Sequence, residues 1–166
     1  MVLLIWMKTI LNKTKKHTKV CFFYSIFNRT IENNGLKETS ARLKKGIIAF
    51  SPLAQGLLTD RYLKGIPEDS RMKTDGRYIK EWVLSEKRLL QIRKLNDLAA
   101  QRGQTLAEMA LAWVLRDGVV TSVLIGASRP QQIIDNIKAT ENTYFTTEEL
   151  QIIDGIYLEN PEYILR

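Results

Sequence analysis

The hydrophobic and polar positions of this chain alternate between two periods, and the alternation predicts its elements. From about Val20 onward, short apolar runs rich in β-branched residues are followed by stretches with helical spacing. "CFFYSIFNR" (Cys21 to Arg29) reads as a strand end followed by a polar turn. Leu36 to Lys45 reads as a short helix closed by Gly46 at the C′ position. Ile47 to Phe50 is a strand stopped by Pro52, and Ala54 to about Lys80 is a long loop punctuated by Gly56, Gly65, Pro67 and Gly76. Ser85 opens a helix to about Gln101, with Leu89, Ile92, Leu95 and Ala99 on one side and Gly103 at its end. Thr105 and Glu108 form a capping box for the next helix, whose Leu106, Met109, Ala110, Trp113 and Val114 make a buried stripe; Trp113 is expected in the core. Val123–Ile125 is a short buried strand, a helix begins at Pro130, and Thr146 with Glu149 caps a last helix through about Tyr157.

The order of elements predicts a parallel sheet covered by helices, an α/β arrangement. It supplies only about three strands. Such a sheet has open edges and an uncovered apolar face, so the chain reads as part of something larger.

Composition changes this picture in one respect. The 166 residues suffice for one domain, and the net charge of +7 points at first to an acidic partner. Five of the positive charges, Lys8, Lys13, Lys15, Lys16 and Lys19, lie in the first 20 residues, where there is no acid. Without them, 20 basic residues face 18 acidic ones, a net of +2. The body carries no basic stripe interleaved with aromatics, so nucleic-acid binding is not expected. "MVLLIWM" is shorter than a bilayer span and its lysines follow rather than precede it, so neither a membrane anchor nor a secretory signal is expected. Residues 1–19 are set apart as an unassigned basic tail. A single cysteine, Cys21, excludes an internal disulfide framework and fits a reducing cytoplasm.

The sole histidine, His17, sits in that tail, and no Ser-His-Asp arrangement, Walker loop, GxGxxG or metal-ligand cluster is present. Glu148-Glu149 and Glu68-Asp69 read as helix-start and loop charges. What remains is polar chemistry after two strands: Ser51, Pro52, Leu53, Gln55 and Gly56 after one, and Gly126, Ser128, Gln132, Asp135 and Asn136 after the other. Parallel α/β folds place their sites at such strand ends. The join "IGASRPQQIIDN" (Ile125 to Asn136) fits either an anion held at a helix N-terminus or an ordinary strand-to-helix loop with Ser128 as N-cap and Pro130 in the first turn. Arg61 and Arg71, in the long loop, fit either closure over an anion or plain surface charge.

Three blocks, "IAFSPLAQGLLTDRYLKGIPEDSRM", "RGQTLAEMALAWVLRD" and "TSVLIGASRPQQIIDNIKA", together resemble the C-terminal half of aldo-keto reductases, in the branch of bacterial glyceraldehyde 3-phosphate reductases and potassium-channel β-subunits. The likeness runs from about Tyr24 to Ile156. It implies the C-terminal portion of a (β/α)8 TIM barrel that holds NADP(H), within a domain over residues 20–166. By the same resemblance Phe50 stacks on the nicotinamide. Ser51, Pro52, Leu53, Gln55 and Gly56 run along the ribose and pyrophosphate, and Arg61 approaches the pyrophosphate. Arg71 and Ser128 hold the 2′-phosphate, Gly126 belongs to the same strand end, and Gln132, Asp135 and Asn136 surround the adenine. Residues 128, 132, 135 and 136 share one helical face, as this requires.

The resemblance also implies absences. The family's Asp, Tyr, Lys and His tetrad lies in the N-terminal half of the barrel, so no catalytic residue is assigned here. Three residues before Tyr24, where the family has a glutamine for the carboxamide, stands Cys21. A truncated or frameshifted reading frame leaves this pattern. The expectation is therefore a cofactor-binding half that works on a small carbonyl substrate only with a missing N-terminal half-barrel. An NADP(H)-sensing module and a non-functional remnant are the alternatives.

Overall fold

The computed structural model describes residues 19–63, 65–66 and 81–161. Three strands, β1 (Lys19–Phe23), β2 (Gly46–Phe50) and β3 (Val120–Leu124), form a parallel sheet in the order β1-β2-β3. Val20 lies opposite Ile47, Phe23 opposite Phe50, and Phe50 opposite Leu124, with a register irregularity between Ile47 and Ile48 on the β3 side. Successive side chains of a strand point to opposite faces. Ile47 and Ala49 are fully buried on the face that the helices cover. Cys21, Phe23, Ile48, Phe50, Ser122 and Leu124 belong to the other face by register, and no described helix covers it. Among the described residues this face is left without a covering helix.

The helices are α1 (Thr30–Asn33), α2 (Leu36–Arg42), α3 (Glu86–Gln101), α4 (Leu106–Leu115), α5 (Pro130–Ile137) and α6 (Thr147–Leu158). Local chemistry sets most of their ends. Ser85 accepts the Arg88 N–H to start α3, and Gly103, at φ 68°, ends it. Thr105 and Glu108 exchange bonds of 3.2 and 2.8 Å, as do Thr146 and Glu149. These are the two capping boxes read from the sequence. Helix α4 is more deeply set than its stripe implies: apart from Ala107, every residue from Leu106 to Val114 is buried, Trp113 completely.

Four expectations change. Gly46 does not close α2; it is the first residue of β2, and Lys44 takes the left-handed position at φ 53°. The reversal is held by Lys45 N–H to Ser40 O at 2.9 Å and Lys44 N–H to Ala41 O at 3.0 Å, a Schellman pair that outweighs the Cβ penalty. The turn after β1 is not a polar surface turn, because Tyr24, Ser25, Ile26 and Phe27 are all buried beneath the helices. The last strand begins at Val120 and ends at Leu124, and it is largely exposed rather than buried, since it lies at the sheet edge. Ser128 is not the N-cap of α5; Arg129 is, with Pro130 at the first helical position. The tail with His17, the Glu68-Asp69 pair and Arg71 lie outside the described residues.

Candidate functional site at the strand ends

Strand β2 delivers Phe50 to the sheet's C-terminal edge, 37% exposed, with its ring edge-on to Phe23 at 4.8 Å between centroids. The chain then turns sharply. Ser51, Ala54 and Gln55 all have left-handed φ values (54°, 49° and 58°), and Gly56 follows at 96°. Each such non-glycine residue costs on the order of 1–3 kcal/mol and persists only where the surroundings enforce it. Here Pro52, Ala54, Leu57 and Leu58 are buried anchors. The N–H groups of Ala54, Gly56 and Leu58 bond back to Ser51 O and Leu53 O within 2.9–3.1 Å. The side-chain oxygen of Gln55 is buried and accepts no hydrogen bond. Thr59 donates to Gly56 O at 2.7 Å and accepts the N–H of Arg61 at 3.3 Å, which starts the turn Asp60–Tyr62 and sets Arg61 half-buried beside it.

Strand β3 ends beside β2, because Leu124 is the register partner of Phe50. Gly126, Ala127 and Ser128 are exposed and lead into α5. The side-chain oxygen of Gln132 accepts three hydrogen bonds: the Ser128 N–H at 2.8 Å, the Ser128 hydroxyl at 3.2 Å and the Arg129 N–H at 3.2 Å. These are donors that an anion oxygen at a helix start would take. Asp135 accepts from Lys138 and from Gln131, each at 3.0 Å, and those bonds hold its carboxyl below the usual carboxylate range. Gln132, Asp135 and Asn136 are half-buried on the same side of α5, while Ile133, Ile134 and Ile137 are exposed. The sequence-derived candidates at the two strand ends therefore leave one edge of the sheet together. Arg71 lies outside the described residues.

Sequence reasoning missed a second polar cluster. The Tyr24 hydroxyl donates to Glu32 at 2.5 Å and accepts from Lys37 at 2.8 Å and Arg116 at 2.9 Å. Arg116 also pairs with Glu32 at 2.8 Å, and Lys37 pairs with Asp117 at 2.6 Å. A tyrosine beside a lysine and a carboxylate is a set used in acid–base chemistry. Yet Tyr24 is fully buried, and burial pushes its phenol pKa far up, so it neither reaches a substrate nor exchanges a proton near neutrality. Burial works against the charge of Glu32, but bonds from Tyr24 and Arg116 and the charges of Arg116 and Lys37 hold its carboxyl below the usual range. The cluster ties α1 and α2 to the end of α4. An open cavity of about 350 Å³ lies beside it, lined by Glu32, Lys37, Glu38, Ala41, Arg116, Asp117 and Val119. It sits by the start of β3, away from the strand ends that carry the candidate site. Among the described residues no group of three or more His, Cys, Asp or Glu is arranged to hold a metal, and no helix is long and apolar enough to cross a membrane.

A sequence profile of the aldo/keto reductase family matches residues 7–158. The chain belongs to the aldo/keto reductase family. The matched span opens inside the basic tail, ahead of the Tyr24–Ile156 likeness quoted above. The L-glyceraldehyde 3-phosphate reductase of Escherichia coli O157:H7 is 50% identical over 134 residues, which are 79% of this chain and 39% of that protein. A putative voltage-gated potassium channel subunit beta of Schizosaccharomyces pombe is 38% identical over 115 residues, 67% of this chain and 33% of that protein. The chain thus spans about two fifths or less of the length of these curated relatives. Among solved structures, the glycerol dehydrogenase of Gluconobacter oxydans superposes with a TM-score of 0.69 at 27% identity, over 88% of this chain and 44% of that one. The holo form of an aldo-keto reductase from Bacillus halodurans gives 0.68 at 25% identity, over 91% and 46%. The three strands and their helices are accordingly a portion of the aldo-keto reductase (β/α)8 barrel.

Proposed function

We propose that this chain is the NADP(H)-binding part of an aldo-keto reductase acting on a small aldehyde or ketone such as glyceraldehyde 3-phosphate, and that alone it lacks the catalytic tetrad. The observation that carries the reading is the pairing of the strained Ser51–Gly56 turn with the Ser128 donors at adjacent strand ends. The residues present fit a dinucleotide. Phe50 offers a half-exposed ring, Gln55 an unpartnered side-chain oxygen, and Ser128 and Arg129 three donors for a phosphate oxygen in place of Gln132. Arg61 and, outside the described residues, Arg71 supply positive charge. The cofactor, when bound, supplies the hydride; Phe50 orients the ring, and Ser128 selects for the 2′-phosphate. Gly126 is exposed just past the end of β3, in open space beside Ser128. Residues 20–166 form the proposed domain, and the single exposed thiol of Cys21 fits a reducing cytoplasm.

Fluorescence titration with NADPH tests this reading, together with a turnover assay on glyceraldehyde-type substrates. Weak binding, reduced in Phe50→Ala and Ser128→Ala, with no turnover is the expected result. Absence of binding at millimolar NADPH, or turnover at the rate of an intact reductase, refutes it.

The fungal relative's name favours a second reading, a regulatory module that senses NADP(H) without turnover. Binding that withstands dilution to micromolar concentrations distinguishes that module from a half-barrel with a poorly held cofactor.

A further inference from the structure

Strand β1 ends on Phe23, whose register partner on β2 is Phe50. Both side chains lie on the sheet face that no described helix covers. Their ring centroids are 4.8 Å apart and the ring planes meet at 77°. This is the edge-to-face arrangement that aromatic quadrupoles favour. Phe23 is half-buried, and Phe50 is 37% exposed at the C-terminal edge. The backbone under Phe23 is held from both sides. Phe22 and Tyr24, its neighbours in the chain, are buried. The Tyr24 N–H donates to Phe50 O at 3.4 Å, and the Tyr24 hydroxyl is bonded to Glu32, Lys37 and Arg116. The buried polar cluster thus fixes the strand end from which the Phe23 ring projects onto Phe50, as a supporting residue requires.

We infer that Phe23 is a positioning residue: it sets the plane of the Phe50 ring so that the exposed side of that ring is ready to stack on the nicotinamide. This rests on the reading of Phe50 as the ring that meets the nicotinamide. The χ2 torsion of a phenylalanine is broad, so a half-exposed ring samples many planes unless a neighbour selects one. A perpendicular ring makes that selection, and a planar ligand then stacks without first ordering its partner. Leu124, the register partner of Phe50 on β3, is 54% exposed and has no ring plane to impose. Phe23 acts through Phe50 and is assigned no contact of its own with the cofactor. The competing account is a plain cross-strand contact that stabilises the sheet. That account predicts equal loss for every ligand held at this edge, whereas a positioning role concerns the nicotinamide alone.

The test titrates the full chain with two probes, NADPH and adenosine 2′,5′-bisphosphate, which has the adenine and the 2′-phosphate but no nicotinamide. Phe23→Leu is expected to weaken NADPH binding by about threefold to tenfold, the range of one edge-to-face pair, and to leave the bisphosphate within about twofold. Phe23→Tyr keeps the ring and is expected to bind NADPH as the unaltered chain does. In a Phe50→Leu background, Phe23→Leu is expected to cost nothing further, because the ring it positions is gone. Phe23→Met takes the place of the leucine variant if that one does not fold by circular dichroism. Three results overturn the inference alone: equal loss for both probes, undiminished NADPH binding in Phe23→Leu while Phe50→Leu loses it, or additive losses in the double variant. NADPH binding that Phe50→Leu does not change, or no NADPH binding by the unaltered chain, overturns the nicotinamide reading and this inference with it.

Discussion

The side-chain oxygen of Gln132 sits on Ser128, accepting its N–H at 2.8 Å and its hydroxyl at 3.2 Å. The chain thereby caps its own helix start with a neutral carboxamide. A phosphate arriving at the same donors must displace Gln132 and take up bonds that are stronger because it is charged.

Ser128→Ala is expected to weaken NADPH binding by about tenfold, the loss of one hydrogen bond to a charged group, while NADH binding stays within about twofold. Parallel calorimetric titrations with the two dinucleotides check this. Equal loss for both would show that Ser128 does not address the 2′-phosphate.

Gln55→Gly relieves a left-handed residue at φ 58°. The variant is expected to unfold at higher urea, gaining about 0.5–1 kcal/mol, because glycine carries no Cβ penalty there. Weaker NADPH binding accompanies the gain if the turn is strained in order to present Gln55. An unchanged or lowered urea midpoint contradicts the strain.

Trp113 is fully buried, with the guanidinium of Arg116 at 3.8 Å and that of Arg29 at 4.7 Å from its ring centroid. Trp113→Ala is expected to cost about 3–5 kcal/mol, enough to unfold a marginal domain. Trp113→Phe retains a ring and is expected to remain folded by circular dichroism. A folded alanine variant removes Trp113 from the centre of the core.

Glu32 has its pKa lowered on folding, so its contribution to stability is complete above the unfolded value of 4.5 and is lost as pH falls through the lower folded value. Urea midpoints are expected to hold from about pH 7 to 5 and to drop below about pH 4.5. Glu32→Gln, less stable at neutral pH, is expected to show a shallower acid decline. Parallel acid curves for the two proteins remove Glu32 as a source of the slope.

What could be read without coordinates was set by interactions a few residues long. Ser85, Thr105, Thr146 and Gly103 act on backbone groups within one helical turn, so their roles follow from spacing. The bond from Arg116 to Tyr24 spans 92 residues, and no periodicity announces it. Thr121 and Ser122 interrupt the apolar run and hid the first half of β3. Arg129 rather than Ser128 is the N-cap because its backbone is extended, at φ −140° and ψ 142°, and the helix opens at Pro130.

By itself the sequence determined the parallel α/β order, the caps at Ser85, Thr105 and Thr146, the family and the residue types at the two strand ends, because each depends on local chemistry or on the spacing of whole blocks. Only the tertiary structure decided which faces are covered. It buried the Tyr24 ring and hydroxyl among Lys37, Glu32 and Arg116. It aligned Phe50 with Leu124 so that the two candidate loops leave one edge. It also turned the isoleucines of α5 toward solvent. Burial depends on what lies next to an element in space, and a strand or helix does not carry that neighbour in its own residues.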